Sequence, residues 1–170
     1  MDRRVRSLEM SSRVREPDFV VSELLQLLGS WWYHYDEWQP EVLRALIVDD
    51  FAFSCRSDTG TTEYEDFIRC DLSGANQVME WQEAHRLASP YPLRHNSSNV
   101  FVTDRKNGVI EFSSYIFVTK IVDGRPYPVS SGLAHWVAWE TDDALRLASL
   151  EVVLDTMKSV AYSALSTNIT

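Results

Sequence analysis

Asp36 and His95 are the residues of this chain whose types best fit proton-transfer chemistry. A carboxylate that meets an imidazole can hold its tautomer and stabilise its charged form, so that the ring works as a general base near neutral pH. Asp36 stands inside "WWYHYDEW", residues 31–38, behind a run of apolar helical positions. Val21, Leu25, Leu28 and Trp32 step by three and four residues directly onto it, which puts the carboxylate on the apolar face. Buried alone, a carboxylate is costly. It then needs a histidine, a tyrosine or backbone N–H groups as partner. The opposing reading is that the helix has ended and Asp36 turns to water or caps "EWQPEVL".

His95 opens a strand in "LRHNSSN", just after the breakers "SPYP". Positions of its parity are Ser97, Asn99 and Phe101. That face is polar, as expected either of a cavity wall or of a surface strand. His135 lies in "SSGLAHWVAWE", where both strand faces look buried. It is read as a second pocket residue or as a hydrogen-bonded core histidine. His34 falls off the apolar stripe and is expected to be exposed. His85 ends a helix, where a cation would meet the dipole favourably. Neither receives a catalytic role. No strong metal-ligand spacing, glycine-rich phosphate loop or nucleophile elbow is present. Cys55 and Cys70 have no evident nucleophilic role, and no cofactor or metal is expected.

These groups need elements to position them. Apolar spacing predicts a helix over about 19–37, with a possible break near Gly29, and Pro40 suits the first turn of a short second helix. Alternation predicts a strand over 48–57. A short strand near 61–64, a helix over 64–71 and a helix over 73–88 follow. Strands are then expected over 93–104, 109–122, 127–140 and 144–155, joined by "RKNG", "DGRP" and "TDD". Helices first and an antiparallel meander afterwards make an α+β fold, in which the helices cover one face of a bent sheet and enclose a pocket. The division is a flexible arm at 1–17, one domain at 18–157 and a tail at 158–170.

Composition narrows the partners. The net charge of −9 argues against nucleic acid and against an anionic membrane surface. No apolar run is long enough to span a bilayer. The N-terminal "MDRRVRSLEMSSRVREPD" lacks an apolar secretory core, and two cysteines make no disulfide framework. The expectation is a reduced, cytoplasmic protein. Six tryptophans and seven tyrosines favour an aromatic-lined interior or interface.

In the order of its elements, and in "YHYDEWQPEVLRALIVDDFAF", "RHNSSNVFV" and the closing strands, the chain resembles the SnoaL-like, nuclear transport factor 2-like superfamily over roughly residues 18–157. The resemblance implies a cone-shaped α+β barrel, with the N-terminal helices in the concave face of a bent antiparallel sheet. Two branches are implied. The scytalone dehydratase-like and polyketide cyclase-like branch implies a cofactorless lyase or isomerase. In it Asp36 and His95 face each other, and Tyr35 or Tyr33 polarises a carbonyl. The pocket would be lined by Trp32, Phe53, Asn99, Tyr115 and His135 and would take a small apolar organic substrate. The other branch, similar to the small β subunit of aromatic-ring-hydroxylating dioxygenases, implies a non-catalytic assembly role, supported by "RHNSSNV" and "LASLEVVLD". A homodimer is expected, with a trimer as the other arrangement known among similar folds.

Overall fold

The computed structural model describes residues 17–142 and 144–165. The arm expected at 1–17 and the last five positions of the expected tail therefore lie, but for Pro17, outside the described residues. Helix α1 (Pro17–Asp36) leads into α2 (Pro40–Ala45), β1 (Ile47–Ser57), α3 (Glu65–Ile68), β2 (Cys70–Ser73) and α4 (Ala75–Ala88). Strands β3 (Leu93–Lys106), β4 (Val109–Val122), β5 (Arg125–Glu140) and β6 (Leu145–Leu154) follow, and then α5 (Tyr162–Leu165).

The strands form one open sheet in the order β2-β1-β6-β5-β4-β3. The meander β3–β6 is antiparallel as expected, but β1 runs parallel to β6, so the sheet is mixed. The reason is the path of the chain. After β1 it crosses through α3, β2 and α4 before the meander begins, and the meander brings β6 back beside β1 in the same direction. Irregularities interrupt the register in β1–β6, β3–β4, β4–β5 and β5–β6. Such bulges bend strands and increase twist, which lets the sheet wrap the helices. Helix α1 packs against β3 and α4 against β1.

The buried face of α1 is Val20, Leu24, Leu27, Leu28, Trp31, Trp32 and Tyr35, ending on Asp36. The expected stripe is therefore rotated at its start, where Val21 and Leu25 are exposed. Behind α1, Trp136 stacks on Phe112 with ring centres 5.9 Å apart and donates from Nε1 to Ser114 Oγ at 3.0 Å. The strand expected at 61–64 is absent. The edge strand is instead Cys70–Ser73, whose partners are Ala52–Cys55, and the helix before it shrinks to four residues.

At Gly132 the strands β5 and β6 approach closely. A Cβ on it would lie 2.3 Å from the Val153 carbonyl oxygen and 2.9 Å from Leu154 Cα, both backbone atoms. Backbone cannot swing aside as a flexible side chain can, so Gly132→Ala should cost about 2 kcal/mol. Urea unfolding reads this directly, and an unchanged midpoint would contradict the spacing of β5 and β6.

Candidate functional site

Helix α1 ends where the site begins. Trp38 turns the chain with a φ of 46°, and the N–H groups of Glu37, Trp38 and Gln39 satisfy the carbonyls of Tyr33, Tyr35 and His34. The Asp36 carbonyl goes elsewhere. Arg86 of α4, itself buried, donates to it from Nε at 3.1 Å and from Nη2 at 2.7 Å. A guanidinium at a helix C-terminus also meets the negative end of the dipole. The last turn of α1 is thus clamped, and Asp36 is only 4% exposed.

Its carboxylate reaches β3. Strand β3 is an edge strand, so one row of its N–H groups has no strand to bond. Asp36 Oδ2 accepts the His95 backbone N–H at 2.9 Å, and Oδ1 lies 2.6 Å from His95 Nδ1. An ionised carboxylate can only accept, which places the ring proton on Nδ1. Nε2 is left with a lone pair and has no hydrogen-bond partner among the described residues. Trp32 stacks on the imidazole at 4.7 Å with 8° between planes, and Tyr35 meets it edge-on at 5.3 Å. Trp32 is fixed in turn by donating from Nε1 to Ser97 Oγ at 2.7 Å. Asp36 and His95 are thus in contact, with the carboxylate buried.

His95 lines a cavity of about 290 Å³. Trp32 and Tyr35 of α1, Phe53 of β1 and Trp81 of α4 form its aromatic wall, and Ile116, Val118, Val152 and Leu154 form its apolar sheet face. His85, set aside on sequence, lines it as well. Its Nδ1 lies 2.6 Å from the Tyr35 hydroxyl, and its ring stacks on Trp81 at 4.7 Å. The signal for it was available: Val78, Gln82 and His85 step by four and three along α4, and the first two are buried.

Burial, reinforced by His95 and Arg86, lowers the His85 imidazole to about 4, so it is neutral and does not serve the helix dipole as a cation. Burial also pushes the Tyr35 phenol well above its ordinary value, against the opposing pull of Arg86. Both groups of the pair are therefore uncharged at neutral pH. An unfolded histidine binds its proton below about 6.5. Between that pH and about 4 the unfolded chain binds more protons than the folded one, so stability falls as pH falls through this window. By pH 5 the His85 share of this loss should be about 2 kcal/mol. His85→Phe should lose correspondingly less on going from pH 7.5 to 5, and equal losses in both proteins would contradict the burial. Cys55 also lines the cavity, and burial pushes its thiol and that of Cys70 up to about 12, leaving neither reactive as a thiolate.

The remaining expected residues lie elsewhere. Tyr33 is 60% exposed and lines a second groove, between α1 and β3, that shares Trp32 and His95 with the cavity and includes Asp36. Asn99 sits in the bulge between Ser98 and Phe101 with a φ of 54°, and the bulge switches the strand's parity. Leu93 and His95 face the cavity before it, whereas Val100 and Val102 pack inward after it. Tyr115 is on the outer face of β4, 53% exposed, in a shallow depression with Asn99 and Leu133. His135 is exposed on the outer face of β5 and bonds Ser113 Oγ at 3.0 Å. It is neither a pocket residue nor a core one, because Ala134 and Trp136 hold the inward positions. Among the described residues no cluster of His, Cys, Asp or Glu is arranged to hold a metal ion, and no helix is long and apolar enough to cross a membrane.

Structural comparison places this architecture. A protein from Novosphingobium aromaticivorans described as nuclear transport factor 2-like with a cystatin-like fold aligns with a TM-score of 0.64 at 16% identity, covering 88% of this chain and 89% of its own. The chain has the nuclear transport factor 2-like fold. Two further structures from the same organism share it. The β subunit of a putative aromatic-ring-hydroxylating dioxygenase aligns with a TM-score of 0.67 at 16% identity, over 86% of this chain and 97% of its own. A putative scytalone dehydratase aligns with a TM-score of 0.65 at 16% identity, over 84% of this chain and 90% of its own. No protein-family model matches the sequence. No curated protein matches it either. At 16% identity these likenesses are of fold.

Proposed function

We propose that the protein is a cofactor-independent enzyme that moves a proton α to the carbonyl of a small, largely apolar compound of polyketide, terpenoid or aromatic type. The observation that carries this reading is the 2.6 Å contact between Asp36 and His95 at the wall of an aromatic cavity. His95 Nε2 takes the α proton, the C–H electron pair moves into the enolate, and Asp36 stabilises the imidazolium that results. The Tyr35 hydroxyl donates to the oxygen on which negative charge develops. Returning the proton to another carbon gives isomerisation, expelling a β-hydroxyl as water gives dehydration, and attack of the enolate carbon on a second carbonyl gives cyclisation. The similarity to a putative scytalone dehydratase supports the reading at the level of fold.

The first step can be tested alone. In D₂O, 2-tetralone should incorporate deuterium at its α carbons faster with enzyme than in buffer, read by proton NMR. If neither 2-tetralone nor a panel of related bicyclic ketones exchanges above the buffer rate, the proton-transfer reading fails.

A second reading, a ligand-binding or assembly subunit, is favoured by a different observation. The outer sheet face exposes Phe101, Tyr115, Phe117 and Leu133 together, and the dioxygenase β subunit shares the fold. A contiguous apolar face of this kind suits contact with a second copy. Sedimentation should show a homodimer (or trimer) at micromolar concentration, converted to monomer by Tyr115→Lys with Phe117→Lys. A wild-type monomer throughout would remove the assembly reading.

A further inference from the structure

One polar atom in the cavity wall has no account in the mechanism above. His85 Nε2 is buried and has no hydrogen-bond partner among the described residues. Its ring is wedged by aromatic neighbours, with Trp81 stacked at 4.7 Å and Phe67 tilted at 4.4 Å. The other nitrogen, Nδ1, is 2.6 Å from the Tyr35 hydroxyl. A neutral imidazole has one N–H, so two arrangements exist. With the proton on Nε2, Tyr35 spends its own proton on Nδ1, and a buried N–H is left with nothing to donate to. With the proton on Nδ1, His85 donates to the phenol oxygen and the unreachable Nε2 keeps only a lone pair, while the Tyr35 O–H is released at the cavity that Tyr35 lines, where solvent or a ligand can accept it. Orphaned buried N–H groups are the rarer of the two defects in folded proteins.

We infer that His85 is a positioning residue: its Nδ1–H donates to the Tyr35 oxygen and leaves the Tyr35 hydroxyl proton turned to the cavity as a preset donor for a carbonyl oxygen. Tyr35 lies beside His95, so the carbonyl that accepts from it has its α carbon beside the base. The pair stays neutral across the working range, so the donor does not switch off with pH. The use of this donor in turnover rests on the proton-transfer reading above. The direction of the bond does not.

The direction can be read without any ligand. Long-range proton–nitrogen correlation spectra of ¹⁵N-labelled protein at pH 7 report which ring nitrogen of each histidine is unprotonated. For His85, assigned by its loss in His85→Phe, Nε2 should be the unprotonated one. Finding Nδ1 unprotonated would overturn the inference, because Tyr35 would then be donating to His85. The donor's use is read by binding, through quenching of Trp32 and Trp81 fluorescence with 2-tetralone and with tetralin, which lacks the carbonyl. Wild type should prefer 2-tetralone by about tenfold, the worth of one good hydrogen bond. Tyr35→Phe and His85→Phe should both lose that preference, and His85→Asn, which keeps an N–H near the Nδ1 position, should retain part of it. A merely structural role for His85 would weaken both probes alike and leave the ratio unchanged, which would also overturn the inference. So would binding of neither probe to wild type. If the ratio behaves as expected but no ketone exchanges deuterium, the donor stands and the catalytic reading is what fails.

Discussion

Exchanging His95 for glutamine is expected to slow α-deuteration of a responsive ketone by about 10²–10⁴-fold, the usual worth of a positioned general base. Glutamine can keep a hydrogen bond to Asp36 but has no nitrogen lone pair with which to take a proton. The ring it replaces is held on three sides: Asp36 on Nδ1, Trp32 on one face and Tyr35 at the edge. Binding of the ketone should change far less than turnover, because the apolar wall that holds it is untouched. Asp36→Asn provides the second arm. An amide at this place can donate as well as accept, so it no longer dictates the tautomer of His95 and no longer balances an imidazolium. Its loss should be of the same order. If His95→Gln exchanges protons as fast as wild type, the base lies elsewhere and the site has been misassigned.

The largest expected change in stability is at Arg86. Its guanidinium donates twice to the Asp36 carbonyl and from Nη1 to the Pro90 carbonyl at 3.2 Å, and it lies over the Tyr91 ring at 5.8 Å. Arg86→Met keeps most of the buried volume but leaves the carbonyl at the end of α1 without its donors. The cost should be about 3 kcal/mol, since bonds from charged donors are each worth roughly 1.5–3 kcal/mol and the two to one oxygen are not additive. Lysine should rescue little, because a single ammonium cannot reproduce a planar fork reaching two carbonyls. Chemical unfolding measures this, and a loss below about 0.5 kcal/mol, the scale of ordinary surface substitutions, would show that the clamp carries no weight. Since Arg86 holds the turn bearing Asp36, the variant should also lose exchange activity at temperatures where it remains folded.

The parts of this site that were legible in the sequence were those attached to strong local signals. The end of α1 follows from its apolar run and from Pro40, and the start of β3 follows from "SPYP". Those two boundaries carry Asp36 and His95. Alternation fixes which residues of a strand share a face, but it does not say which face is inner. Tyr115, expected in the pocket, and His135, expected in the pocket or the core, lie on the outer face for that reason. Asn99 failed differently, because a bulge reverses parity within one strand and nothing in "NSSNVF" announces it. His85 was read from its place at the helix end, when its register with Val78 and Gln82 was the better guide. Strand β2 is four residues long and is a strand only because β1 is beside it, a tertiary fact with no local trace.

The parallel pairing of β1 with β6 bears on how the chain is made. Ile47 finds its partner at Leu147, 100 positions later. At ordinary translation speeds of about 5–20 residues per second, β1 emerges roughly 5–20 seconds before the strand that covers its inner edge exists. Through that interval the nascent protein carries Phe51 and Phe53, both core residues, with one ladder open. Closing so long a loop is also the slow kind of folding event. Synthesis of this protein therefore contains a built-in interval, set by the length of chain between the two strands, in which this edge of β1 stays unpaired.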